Sequence, residues 1–196
     1  MKSLLREAIE TIVLALLIFI ALQFSVQNYR VEGSSMAPTL QQDQHVLVNK
    51  VVYFHIDPQI VSKSVPFFTV SRTEQLFPFH PPRRGDIVVF DFERCHPSRS
   101  CVKRIIAVPG DMVQIEDGRV YVNGSLLEEP FIKEGGNSSM APLRVPQDAY
   151  FVMGDNRRAS NDSRYWGLLP MNSIVGKAWI AYWPFTQWHF LQVLHK

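Results

Sequence analysis

Cys101-Val102-Lys103-Arg104-Ile105-Ile106-Ala107-Val108 runs into Pro109-Gly110-Asp111, and the reading of this run decides the fold. It is short, rich in β-branched residues and closed by a Pro-Gly turn signal, which is the pattern of a buried strand. Side chains alternate between faces along a strand. Lys103 then shares a face with Cys101, Ile105 and Ala107, and Arg104 shares the other with Val102, Ile106 and Val108. Two adjacent basic residues cannot point the same way, so one of them emerges among apolar neighbours. Lysine answers burial by losing its proton, whereas arginine keeps its charge. A neutral amine is a competent general base. The plainer alternative is a strand-edge lysine whose stem packs while its head reaches water. Spacing alone leaves both readings open.

The same pattern recurs on either side. Residues 45–52, 86–92, 112–115, 119–122, 149–153 and 174–182 are further strand candidates, with Glu116-Asp117-Gly118 and Val122-Asn123-Gly124 as turn signals. No segment in this part of the chain holds a long helical period. An all-β domain of short antiparallel strands is expected, in one unit of ordinary domain size. Residues 59–84 are irregular and rich in Pro and Phe, and read as an insertion or long loop. The net charge is only +2, which gives no electrostatic case for nucleic acid.

Residues 8–26 read AIETIVLALLIFIALQFSV. Nineteen helical residues span about 28 Å, close to the thickness of a bilayer's hydrocarbon core. Lys2 and Arg6 precede the run, which favours an N-terminus in the cytoplasm. A small-x-small cleavage pattern is lacking after it, so an uncleaved signal-anchor is favoured over a cleaved signal peptide. A buried soluble helix fits less well because the run has no polar face. Residues 1–27 are thus expected to be a cytoplasmic tip and membrane anchor, and residues 28–196 a domain across the membrane from the cytoplasm.

Just behind the anchor lies Val31-Glu32-Gly33-Ser34-Ser35-Met36-Ala37-Pro38-Thr39-Leu40. A hydroxyl on such a Gly- and Pro-bounded loop is either a turn residue or a nucleophile. None of the six histidines sits in a hydrolase signature, and there is no Gly-x-Ser-x-Gly elbow. A serine here would therefore need Lys103 as its base. A third polar segment, Gly154-Asp155-Asn156-Arg157-Arg158-Ala159-Ser160-Asn161-Asp162-Ser163-Arg164-Tyr165-Trp166-Gly167, can fix a loop through its own hydrogen bonds. Within it Asp162 and Arg164 can pair, and Ser160 can orient a base. Cys95 and Cys101 flank His-Pro-Ser-Arg-Ser and can form a disulfide or stay as thiols, depending on compartment. With His96 they are too few for a zinc site, and no metal cofactor is expected. Of the C-terminal aromatics, Trp179 is expected in the core, with Trp183 and Trp188 open between core and membrane interface.

With these segments together, the chain resembles the type I signal peptidases. The motifs are Ser35-Met36-Ala37-Pro38-Thr39-Leu40, Arg84-Gly85-Asp86-Ile87-Val88-Val89-Phe90, Lys103-Arg104-Ile105-Ile106-Ala107-Val108-Pro109-Gly110-Asp111 and residues 154–167, in the family's order behind an anchor. The resemblance implies a mainly β, antiparallel, barrel-like catalytic domain behind one transmembrane helix. It implies Ser35 as nucleophile, Lys103 as general base, Ser160 as base-orienting group, and Asp162 with Arg164 as a supporting pair. Val31, Met36 and Val102 are expected, by position, to line shallow substrate pockets. Some members carry an oxyanion-stabilising serine two residues before the nucleophile; this chain has Gly33 there, leaving more to the Ser35 backbone N–H. The implied reaction is removal of signal peptides from secretory precursors after small residues at −1 and −3, with no cofactor. The implied location is single-pass in a bacterial plasma membrane, or in the membrane of an organelle of bacterial descent, with the catalytic domain extracytoplasmic. Another serine–lysine peptidase, such as a self-cleaving repressor-type domain, and a catalytically silent membrane-tethered β-domain are the competing readings.

Overall fold

The computed structural model describes residues 2–53, 77–96 and 100–191. Most of the expected insertion at 59–84 lies outside them. Helix α1 (Lys2–Ser25) is longer than the apolar run, and its large apolar side chains from Ile9 to Phe24 are exposed on every face. Its Arg6–Ser25 span has a mean hydropathy of 2.2 and is long and apolar enough to cross a membrane. Strand β1 (Val26–Arg30) follows without a linker, and the Ser25 carbonyl accepts the Lys50 N–H at 2.9 Å, tying the helix end to the sheet.

The rest is antiparallel β, as expected. One sheet combines β1 with β2 (His45–Asn49), β3 (Ile87–Phe90), β4 (Cys101–Ala107), β9 (Ala149–Met153), β10 (Leu169–Pro170) and β11 (Ile174–Trp183) in the order β1-β2-β11-β3-β4-β9-β10, with β12 (His189–Phe190) paired to β11. A second sheet holds β5 (Met112–Glu116), β6 (Arg119–Val122), β7 (Ser125–Leu126) and β8 (Met140–Arg144) in the order β7-β6-β5-β8. The architecture is a half-barrel with open edges rather than one closed cylinder. Every strand expected from the sequence is present within a few residues. Strands β1, β7, β8, β10 and β12 were not expected: β7, β10 and β12 have two residues each, and β1 (VQNYR) and β8 (MAPLR) have no apolar alternation.

Three apolar clusters hold the sheets together. Met36, Leu40, Val46, Val48, Ile87 and Val89 centre the first, Val88, Phe90, Ile105, Tyr150 and Val152 the second, and Val113, Ile115, Val120, Phe151 and Met153 the third. Strand β3 serves the first two clusters, which is why all four of its residues are buried. Trp179 departs from expectation, being 47 % exposed. Strand β11 carries register shifts between Ala178 and Ile180 and again between Ala181 and Trp183, so the two alanines turn inward and the tryptophan outward. Trp183, Trp188, Phe185 and Phe190 are exposed as well.

Candidate active site

Ser35 lies on the connection between β1 and β2. The chain enters it through Gly33, whose φ of 82° is a left-handed conformation open to glycine at little cost. Met36 and Leu40, both fully buried, anchor the loop in the first cluster, and the Leu40 N–H closes onto the Met36 carbonyl at 2.9 Å. Lys103 comes from the first half of β4. It stands across from Val88 and Arg104 across from Ile87, so the two cations face opposite ways.

Both cations are nevertheless buried, Lys103 at 4 % and Arg104 at 2 % exposure, because β4 is covered on both faces. Their fates differ by partner. Arg104 forms a bidentate pair with Asp155 at 2.8 and 2.6 Å and donates to the Gly85 carbonyl at 3.0 Å. Thr39 Oγ1 donates to the same carboxylate at 2.5 Å. That network ties the Ser35 loop, β4 and the loop after β9 into one unit. Among the described residues Lys103 has no carboxylate in hydrogen-bond contact. Its Nζ donates to Ser35 Oγ at 2.9 Å and to the Val102 carbonyl at 3.0 Å. Burial pushes its amine down to about 8, and the charges of Asp162 and Asp155 pull partly the other way.

Asp162 is fully buried and caps the short helix α2 (Ser163–Trp166). It pairs with Arg164 through two contacts of 2.8 Å and accepts the Gly154 N–H at 3.0 Å. Arg157, also buried, pairs with Glu129 and donates to the Gly154 carbonyl at 3.2 Å. Gly154 is thus held on both of its backbone polar groups. Ser160 is buried beside it, but its Oγ has no hydrogen-bond partner among the described residues; in this geometry the Lys103 amine turns to Ser35 and Val102 instead.

Ser35 and Lys103 line a cleft of about 870 Å³. Val31 and Val102 belong to its wall, together with Val46 and Val89. Met36 does not: it is 1 % exposed and turned into the core, where it anchors the Ser35 loop. Its expected place among the pocket residues is corrected accordingly. Cys95 and Cys101 border the cleft and are joined in a disulfide, with Cα atoms 6.6 Å apart, inside the range such bridges span. The described residues contain no group of three or more His, Cys, Asp or Glu arranged to hold a metal ion. Sequence reasoning missed Thr39, Arg104, Asp155 and Asn156 as parts of the site. Asp155 is 51 residues from its partner Arg104, and no local pattern joins them.

A hydroxyl and a buried amine in contact within a cleft of an antiparallel β domain are the equipment of a hydrolase that works without histidine. The family model described as signal peptidase, peptidase S26, matches residues 5–183. A signal peptidase I from Leptolyngbya laminosa is 34 % identical over 187 residues, 92 % of this chain and 80 % of that protein. Thylakoidal processing peptidase 1, chloroplastic, from Arabidopsis thaliana is 34 % identical over 79 % of this chain and 41 % of its own length. The crystal structure of a signal peptidase I from Enterococcus faecalis aligns with 50 % of this chain and 97 % of its own, at 31 % identity and a TM-score of 0.44. The chain belongs to the signal peptidase S26 family and is a peptidase.

Proposed function

We propose that this chain is a membrane-anchored serine endopeptidase that removes N-terminal signal peptides from secreted precursors with a Ser35–Lys103 dyad. The 2.9 Å contact between Lys103 Nζ and Ser35 Oγ, with the amine buried and its pKa pushed down to about 8, is the observation that carries the reading. Neutral Lys103 takes the Ser35 proton as Oγ attacks the scissile carbonyl. The Ser35 N–H steadies the oxyanion. Lys103 then protonates the leaving amine, and in the second half takes a proton from water as it attacks the acyl-enzyme, returning it to Ser35. Asp162 with Arg164 holds the loop around the dyad, and the buried Ser160 hydroxyl, unpartnered among the described residues, orients the amine during the reaction.

The cleft fits an extended substrate. Strand β1 is a sheet edge, and β9 pairs only with Arg104 to Ala107 of β4, leaving Cys101 to Lys103 open on that side. A substrate strand between these edges takes up main-chain hydrogen bonds, with alternate side chains against Val31 and Val102. Shallow valine-walled pockets favour small residues at −1 and −3.

Residues 1–27 act as the anchor and residues 28–196 as the catalytic domain on the far side from the cytoplasm. The disulfide agrees with an oxidising, extracytoplasmic setting. The exposed Trp183, Phe185, Trp188 and Phe190 suit the headgroup region of the bilayer. The host membrane is a bacterial plasma membrane, or one of an organelle of bacterial descent, a setting that the chloroplastic relative makes concrete. Precursor cleavage by the full chain in liposomes, compared with Ser35→Ala and Lys103→Ala, tests the reading. Both variants are expected to fold and to lose essentially all cleavage; normal activity in either would remove the dyad.

A further inference from the structure

One residue touches the nucleophile's own backbone and has no task in the reaction above. Asn156 lies in the loop after β9. Its backbone N–H donates to the Ser35 carbonyl at 3.0 Å, and its side-chain Nδ2 donates to the Ser34 carbonyl at 3.1 Å. A carbonyl can only accept, so the amide nitrogen is the end that faces Ser34. The Ser34 carbonyl also accepts the Ala37 N–H at 3.1 Å.

The Ser34 carbonyl and the Ser35 N–H belong to one planar peptide unit. That unit is trans, so the N–H points away from the carbonyl. Two donors that fix the carbonyl therefore fix the direction of the N–H. Among the described residues this N–H donates to no protein acceptor. Donation to a carbonyl also polarises its peptide unit and strengthens the N–H as a donor. Gly33 offers no hydroxyl to assist.

We infer that Asn156 is a positioning residue for the oxyanion: it aims and polarises the Ser34–Ser35 peptide so that the Ser35 N–H meets the charge developing on the scissile carbonyl oxygen. This rests on Ser35 being the nucleophile. Because the bond is made to the peptide and not to the dyad, it acts on the transition state without changing the basicity of Lys103. A residue that merely braced the loop would disturb the Ser35–Lys103 contact, and with it the pH dependence.

The test uses the full chain in detergent with a purified precursor and the variants Asn156→Ala and Asn156→Leu. The leucine keeps the approximate size of the side chain and the backbone bond to Ser35, has no N–H to donate and adds no charge near Lys103. In both, kcat is expected to fall about 10- to 100-fold with KM within about threefold of wild type. The pH profile should keep its position. Affinity for an alanine-terminated peptide aldehyde, which forms a tetrahedral adduct on Ser35, should fall by the same factor as kcat/KM. Should Asn156→Ala melt below the assay temperature, Asn156→Leu supplies the same readouts. Unchanged kcat, a loss carried by KM, a displaced pH profile or an unaltered aldehyde affinity would each overturn the inference. Failure of the dyad itself is seen separately, as an active Ser35→Ala.

Discussion

Lys103 is held in its site against its own charge. Its amine titrates near 8 in the folded chain and near 10.5 as a free side chain, so between those values the unfolded chain binds more protons and stability rises with pH. Below about 8 the full cost applies, about 3 kcal/mol for a shift of this size. Lys103→Met, nearly isosteric and uncharged, is therefore expected to melt several degrees higher than wild type at neutral pH, with a gain that shrinks as pH rises towards 10.5. A gain that does not change with pH would show that the amine is not destabilised in place. Asp155 has the opposite sign: Asp155→Ala leaves the buried Arg104 guanidinium unpaired and should cost about 3–5 kcal/mol in denaturant unfolding. Strand alternation exposed the problem of two adjacent cations, and from it the candidate base. It did not show that both would be buried, since Arg104 is made tolerable by a carboxylate from the far end of the chain, and long-range pairing leaves no mark on local spacing.

At the level of elements, strong apolar runs were readable and weak ones were not. The interior strands β3, β4 and β9 are covered on both faces, so their sequences are nearly continuous hydrophobic runs. Edge strand β1 reads as polar because only one of its flanks is covered, yet it supplies one wall of the cleft. Trp179 was misplaced because β-bulges break the two-residue period, and nothing in IVGKAWIAYW marks where they fall. Met36 was misplaced for another reason: position beside a nucleophile does not reveal whether a side chain faces the cleft or pins the loop beneath it. The disulfide, left open by the sequence, closes a short loop at the mouth of β4. Replacing both cysteines by serine is expected to cost about 2 kcal/mol, as the closure entropy of so short a loop implies. Equal stability of the oxidised and double-serine forms in denaturant would contradict that.

For the whole molecule, α1 runs directly into β1, so on the proposed function the distance from membrane to Ser35 is short and fixed. Ser35 lies ten residues beyond the helix end, five of them in a strand. On the proposed function, a precursor held in the same bilayer would meet the cleft at raised effective concentration. Removing α1 should therefore slow cleavage of a liposome-held precursor far more than cleavage of a short soluble peptide; an equal effect on both would mean that the helix serves the fold instead. The apolar N-terminal helix and the β domain were both legible from hydropathy and turn signals. The polar network that joins the nucleophile loop, β4 and the loop after β9 was not, because it exists only once the sheet has formed. The central claim is that a neutral Lys103 amine activates Ser35. It is tested most directly by kcat/KM of the full-length wild-type chain on one precursor in liposomes, measured from about pH 6 to about pH 10. The expected result is a rise of about tenfold per pH unit that levels off near pH 8, where the amine loses its proton. A rate that is greatest in acid, or unchanged across that range, would contradict it.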